Sequence, residues 1–178
     1  IAADSMLLNI LRRAKELIER GETLFASPYL HFFLANRFTN EDLQNPEILE
    51  NFCNLDDSEI ISAIKVWQNV EDTTLSILCQ KLIQRNLLKI KIAETPYSAQ
   101  EIAARKQEVC TQLGIPPEEA DYFIVAGKLS NNTYNTDGDT LKIGMKDGSL
   151  KELSEASEIY NLSADNKPTI KYFITSLN

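Results

Sequence analysis

Histidine is almost missing from this sequence: His31 is the one imidazole in 178 residues. A two-histidine metal site and an HExxH motif therefore cannot be assembled within one chain. Cysteine is scarce as well. Cys53, Cys79 and Cys110 are odd in number and far apart, which excludes a CxxC pair and a paired disulfide framework. Free thiols buried in helices are expected instead, and they fit a reducing, cytoplasmic setting. No apolar run approaches the ~20 residues that cross a bilayer, so no membrane partner is expected. The N-terminus has no basic segment followed by an apolar one, hence no signal peptide is expected either. Positive charge is in deficit, with 18 Lys and Arg against 26 Asp and Glu and a net charge of −8. That balance argues against nucleic acid as a partner, because phosphate contacts rest on clustered Lys and Arg. Ile1 is not an initiator residue, so the chain reads as a piece of something longer whose chemistry lies upstream.

What is present describes an ordinary folded protein. Hydrophobic residues make up 43% and charged residues 25%, enough apolar surface for a core. Met6, Leu7, Ile10, Leu11, Ala14, Leu17 and Ile18 recur every three or four residues, the stripe of an amphipathic helix that Gly21 stops. Ser27-Pro28 and Pro46 open two short helices, the second carrying Ile48, Leu49 and Phe52. Asp56 and Glu59 have the spacing of a capping box ahead of Ile60, Ile61, Ile64 and Trp67. Asp72 begins a further helix through Leu75, Leu78, Cys79, Leu82 and Ile83, and the two should pack as an antiparallel pair.

The second half changes period. Leu88, Ile90 and Ile92 alternate with Lys89 and Lys91 as a strand with a lysine-bearing face, and Pro96 ends it. Ser98 and Glu101 form another capping box for a helix closed by Gly114. Tyr122, Phe123, Ile124 and Val125 read as a dense apolar strand. A polar loop over 130–139 leads to a strand through Leu141, Ile143 and Met145, a two-residue turn at Asp147-Gly148 and a return through Leu150. A short helix is expected over 153–160, and Ile170, Tyr172 and Ile174 alternate as a last strand. The class is α+β: a helical subdomain over 1–86, then an α+β subdomain over 87–178 with a small, mainly antiparallel sheet and one or two helices.

Several short motifs carry less chemistry than they suggest. With Gly138 as the sixth residue of a calcium loop, the first would be Thr133 and the twelfth Gly144, which supply no carboxylate at the defining ends. That run reads as a solvated loop. Asn131-Asn132-Thr133 and Asn161-Leu162-Ser163 match a glycosylation pattern that is common by chance. His31, beside Phe32 and Phe33, reads as a satisfied structural side chain, and Asp56 with Asp57 as helix capping. Lys81, Arg85, Lys89 and Lys91 form a local group of cations that could hold a phosphate, Arg as a planar fork and Lys as a point charge. The alternative is a solvated strand face with Arg85 answering a helix dipole.

Several stretches resemble the C-terminal region of HD-superfamily phosphohydrolases, the group that contains deoxynucleoside triphosphate triphosphohydrolases. They are Ala2-Ala3-Asp4-Ser5-Met6-Leu7 running into Arg13-Ala14-Lys15, Leu55-Asp56-Asp57-Ser58-Glu59-Ile60, and Ala63-Ile64-Lys65-Val66-Trp67. The run Leu82-Ile83-Gln84-Arg85-Asn86-Leu87-Leu88-Lys89 is the most specific, with Leu88 where relatives usually have an aromatic. Ala120-Asp121-Tyr122-Phe123 and Lys151-Glu152-Leu153-Ser154-Glu155-Ala156-Ser157 fit the same group, including its small bacterial members. The resemblance implies a parent whose helical core binds a divalent metal through two His and two Asp, the metal polarising a phosphoryl oxygen and activating water. It implies that this core lies upstream, that no cofactor belongs to the present residues, and that these residues alone are inactive. The expected partners are the upstream core, further copies in a homo-oligomer, and a nucleotide effector held by Arg85 and Lys89. A different class of function stays open: an interaction module in a parent that has lost phosphohydrolase activity.

Overall fold

The structure, a computed structural model, describes residues 1–130, 142–152 and 170–177. Helix α1 (Ala2–Glu19) buries Met6, Ile10, Ala14 and Leu17 along one face, as the apolar stripe requires. It stops where Gly21 takes φ +92, and the Glu22 N–H returns to the Leu17 carbonyl at 2.9 Å, satisfying an acceptor that the helix end leaves open. Helix α2 (Pro28–Ala35) starts with the Leu30 N–H donating to Ser27 Oγ at 3.2 Å, and α3 (Pro46–Asn54) with Asn45 in the same role. Helix α4 (Asp57–Trp67) has the expected capping box between Asp56 and Glu59. Helix α5 (Thr73–Ile83) follows, capped by Asp72, and packs against both α1 and α4. Trp67 is fully buried in the core of these helices, where its Nε1–H donates to the Phe25 carbonyl at 2.8 Å. Helix α6 (Ala99–Leu113) lies between its own Ser98–Glu101 capping box and Gly114 at φ +66.

Among the described residues there are five strands: β1 (Lys89–Ala93), β2 (Ala126–Ser130), β3 (Lys142–Gly144), β4 (Leu150–Glu152) and β5 (Ile170–Ser176). One sheet has the order β1-β5-β2, and β3 pairs antiparallel with β4, Gly144 opposite Leu150. Helices first and small sheets later make the chain α+β. The residues group into two compact units. One holds Ile1–Lys91, Tyr97–Ala126 and Ile174–Asn178; the other holds Ile92–Pro96 and Gly127–Phe173. Within the second, Gly127 makes room for an aromatic ring, since a Cβ there would sit 2.6 Å from Phe173 Cε1. No helix among the described residues is long and apolar enough to cross a membrane.

Five expectations need correction. Tyr122, Phe123, Ile124 and Val125 are not a strand: Tyr122 ends a 3-10 helix (Pro117–Tyr122), and β2 begins only at Ala126. The Phe123 and Ile124 N–H groups both return to the Ala120 carbonyl, a tight turn that sends Tyr122, Phe123 and Ile124 into one core. An extended strand would point alternate residues to opposite faces. The hairpin loop is longer than two residues. Met145 N–H donates to the Ser149 carbonyl at 2.8 Å and Gly148 N–H to the Met145 carbonyl at 3.0 Å, leaving Lys146, Asp147 and Gly148 as the loop, with Gly148 at φ +82.

Strand β5 does not alternate in burial, because Phe173, Ile174 and Thr175 are all covered. The thiols are free, yet only Cys79 is buried; Cys53 is exposed and Cys110 half-buried. His31 is exposed too, since Leu30 and Leu34, four apart, take the core side of α2. The expected helix over 153–160, most of the polar loop, most of the calcium-like run and both glycosylation patterns lie outside the described residues.

Candidate functional site

Helix α5 ends in an unusual residue. Arg85 takes φ +58, the left-handed conformation that a helix terminus normally assigns to glycine. The Asn86 N–H donates to the Lys81 carbonyl at 2.9 Å and the Arg85 N–H to the Leu82 carbonyl at 3.2 Å, so the turn closes the helix as a Schellman-type stop. An arginine there costs roughly 1–2 kcal/mol of backbone strain that glycine avoids. Its side chain is exposed.

Three residues later the chain is anchored. Leu88 is buried, and its N–H points at Met6 Sδ at 3.5 Å. Leu88 therefore faces the core and not the surface that carries the cations. Lys89 follows as the exposed first residue of β1. Arg85 and Lys89 thus bracket one short, pinned turn, and among the described residues neither has a carboxylate within 4.0 Å. Lys81 is half-buried on the last turn of α5. Lys91 is exposed, and its carbonyl accepts from the Tyr97 hydroxyl at 3.1 Å. Its ammonium adds a little to the lowering of the Glu101 pKa, which the Ser98 amide and hydroxyl chiefly cause. Two exposed cations on a fixed turn can grip an anion. They supply neither a nucleophile nor a base.

A second cluster escaped the sequence reading. Arg13 is 4% exposed, and its guanidinium meets two carboxylates. Nε donates to Asp72 Oδ1 at 3.1 Å, and Nη2 to Asp72 Oδ2 at 2.5 Å and Glu119 Oε1 at 2.6 Å. Glu119 in turn accepts from the Thr74 hydroxyl at 2.5 Å. Burial works against the Arg13 charge, but Asp72 and Glu119 outweigh it and hold the pKa above the usual arginine value. The Tyr122 ring lies under both Arg12 and Arg13, 5.5 and 5.6 Å from their guanidinium carbons. Asn9 completes the cluster by donating to the Tyr122 carbonyl at 2.9 Å. Both carboxylates engage the Arg13 guanidinium, so the cluster braces α1, α5 and the 3-10 helix together. The spacing signals the burial of Arg13 alone: Met6, Ile10, Arg13 and Leu17 are four, three and four apart, which puts Arg13 on the buried stripe.

Among the described residues no three His, Cys, Asp or Glu side chains come together as a metal-binding group. The donors available do not fit the two-His, two-Asp ion that the resemblance implies.

No family model matches the chain. It is 27% identical over 165 residues to the uncharacterised protein YwfO of Bacillus subtilis, a match that takes in 89% of this chain and 35% of that protein. A solved structure of a phosphohydrolase from Bacteroides thetaiotaomicron is 39% identical, with a TM-score of 0.83, across 99% of this chain and 44% of that one. The chain spans about a third of the curated relative and less than half of the solved phosphohydrolase. In sequence and in fold alike, it is similar to part of a phosphohydrolase.

Proposed function

We propose that these residues are the C-terminal, non-catalytic region of a metal-dependent HD-type phosphohydrolase that acts on deoxynucleoside triphosphates or a related phosphoester. The observation that carries this reading is the likeness itself: 99% of the chain matches 44% of a phosphohydrolase at a TM-score of 0.83. The single histidine supports assigning the divalent metal and its ligands to other polypeptide. On this reading the region buttresses an upstream core, joins copies of the enzyme in the cytoplasm, and is inactive alone. Leu8, 64% exposed on α1, is an apolar contact point for that core. Arg85 and Lys89 hold the phosphates of an effector nucleotide. The left-handed strain at Arg85 supports that role, because the backbone would be relieved by glycine while a ligand contact needs the guanidinium.

The test compares the full-length parent with this 178-residue chain, each with manganese or magnesium and each common deoxynucleoside triphosphate. Turnover by the parent and none by the chain is the expected result. Hydrolysis by the chain alone would overturn the placement of catalysis, and an inactive parent lacking an upstream His-Asp pair would favour an interaction module. Replacing Arg85 and Lys89 with Ala in the parent should weaken nucleotide binding; unchanged affinity and oligomer distribution would remove them from the site.

A further inference from the structure

A groove of about 400 Å³ is walled by Arg12, Lys15, Glu16, Glu19, Arg37 and Phe38. Three cations on one concavity stand out in a chain of net charge −8. Two of them are fixed by neutral partners. Lys15 Nζ donates to the Phe33 carbonyl at 2.8 Å and to the Asn36 carbonyl, at the end of α2. Arg12 rests over the Tyr122 ring and reaches the Asn9 side-chain oxygen at 3.4 Å. Among the described residues neither has a carboxylate within 4.0 Å.

The wall's own carboxylates are engaged by other cations. Glu19 accepts two bonds of 2.8 Å from Arg37. Glu16 stands 3.8 Å from Arg13 and 3.9 Å from Arg20, and its charge also acts on Tyr122. Arg12 and Lys15 are therefore positioned without a direct ion pair, although the Glu19 charge partly offsets that of Lys15. Burial pushes the Lys15 pKa down, as expected of an ammonium whose surroundings do not fully repay its lost hydration. A guanidinium fork with a fixed ammonium and a second guanidinium lining the same groove is the donor set that phosphate groups take.

We propose that this groove binds a small phosphate-bearing anion through Arg12 and Lys15, with Arg37 joining as Glu19 yields to the ligand. The site is separate from the Arg85–Lys89 turn and does not rest on the phosphohydrolase reading. The probe is inorganic pyrophosphate, titrated calorimetrically into the full chain at low salt, where screening is weakest. In a chain carrying Arg85→Ala and Lys89→Ala, which removes the phosphate grip proposed for that turn, one saturable site is expected. Arg12→Gln should weaken it by about tenfold, the effect of one charge-assisted contact. Glu19→Gln should tighten it several-fold by releasing Arg37, an opposite change that stays informative if the Arg12 variant does not fold. Absence of saturable binding in that double variant, or no tightening when Glu19→Gln is added to it, would each overturn the proposal.

Discussion

Arg13 and Asp72 form a two-point ion pair, Nε to Oδ1 at 3.1 Å and Nη2 to Oδ2 at 2.5 Å, and Asp72 Oδ1 also accepts the Leu75 N–H at 2.7 Å as the cap of α5. One carboxylate therefore starts a helix and binds another helix to it. Arg13→Met would leave Asp72 and Glu119, 16% and 15% exposed, facing each other without their cation. The expected loss is about 3–5 kcal/mol, read as a lower urea midpoint at unchanged slope. Adding Asp72→Asn and Glu119→Gln to that variant should recover part of it, because the charges stranded by the first change are removed.

Arg85→Gly should have the opposite sign. Relief of the left-handed backbone is worth roughly 1–2 kcal/mol, while the added freedom of glycine in the unfolded chain costs about 0.5–1 kcal/mol. The net expectation is a gain of about 0.5–1 kcal/mol in urea unfolding. A loss would mean that the Arg85 side chain contributes to folding and is not simply kept for a ligand.

Tyr122 sets an alkaline limit. Burial, and then the nearby Glu16 carboxylate, push its pKa up to about 12 against a smaller opposing effect of Arg13. The neutral phenol is the form the fold prefers, so its stabilisation is complete below the ordinary tyrosine value of about 10 and is lost as pH rises towards 12. In an absorbance titration of the six tyrosines, one should ionise last, together with unfolding. Tyr122→Phe should remove that step.

The thiols should react in order of access. Cys53, exposed on α3, should be modified first, and half-buried Cys110 on α6 more slowly. Cys79 is fully buried and its thiol is pushed up to about 12 by burial, so it should react only on unfolding. Early modification of Cys79 in a native sample would contradict the packing of α5 against α1 and α4.

Local chemistry was legible in the sequence, and long-range chemistry was not. Ser27, Asp56, Asp72 and Ser98 announce their helices because a cap is decided by residues within three or four positions of it. The cations at Arg85 and Lys89 could be singled out for the same reason, but the positive φ of Arg85 could not, since glycine is the residue that would signal it. Tyr122, Phe123 and Ile124 misled because a short apolar run reads alike whether it is a strand or a turn folded into a core. The Arg13 cluster depends on Glu119, 106 positions away, and no local pattern ties the two together.

Thr175 shows what such distance entails during synthesis. Its hydroxyl donates to the Phe123 carbonyl at 2.6 Å and accepts the Val125 N–H at 2.7 Å, and Ile174 beside it is fully covered. The compact unit that begins at Ile1 thus takes part of its interior from Ile174–Asn178. A ribosome that has already released Arg13, Asp72 and Glu119 still holds an unfinished interior while it translates dozens of further residues. For that interval the nascent chain leaves uncovered the apolar surface that β5 later covers, a state in which partly made proteins are prone to stick to one another.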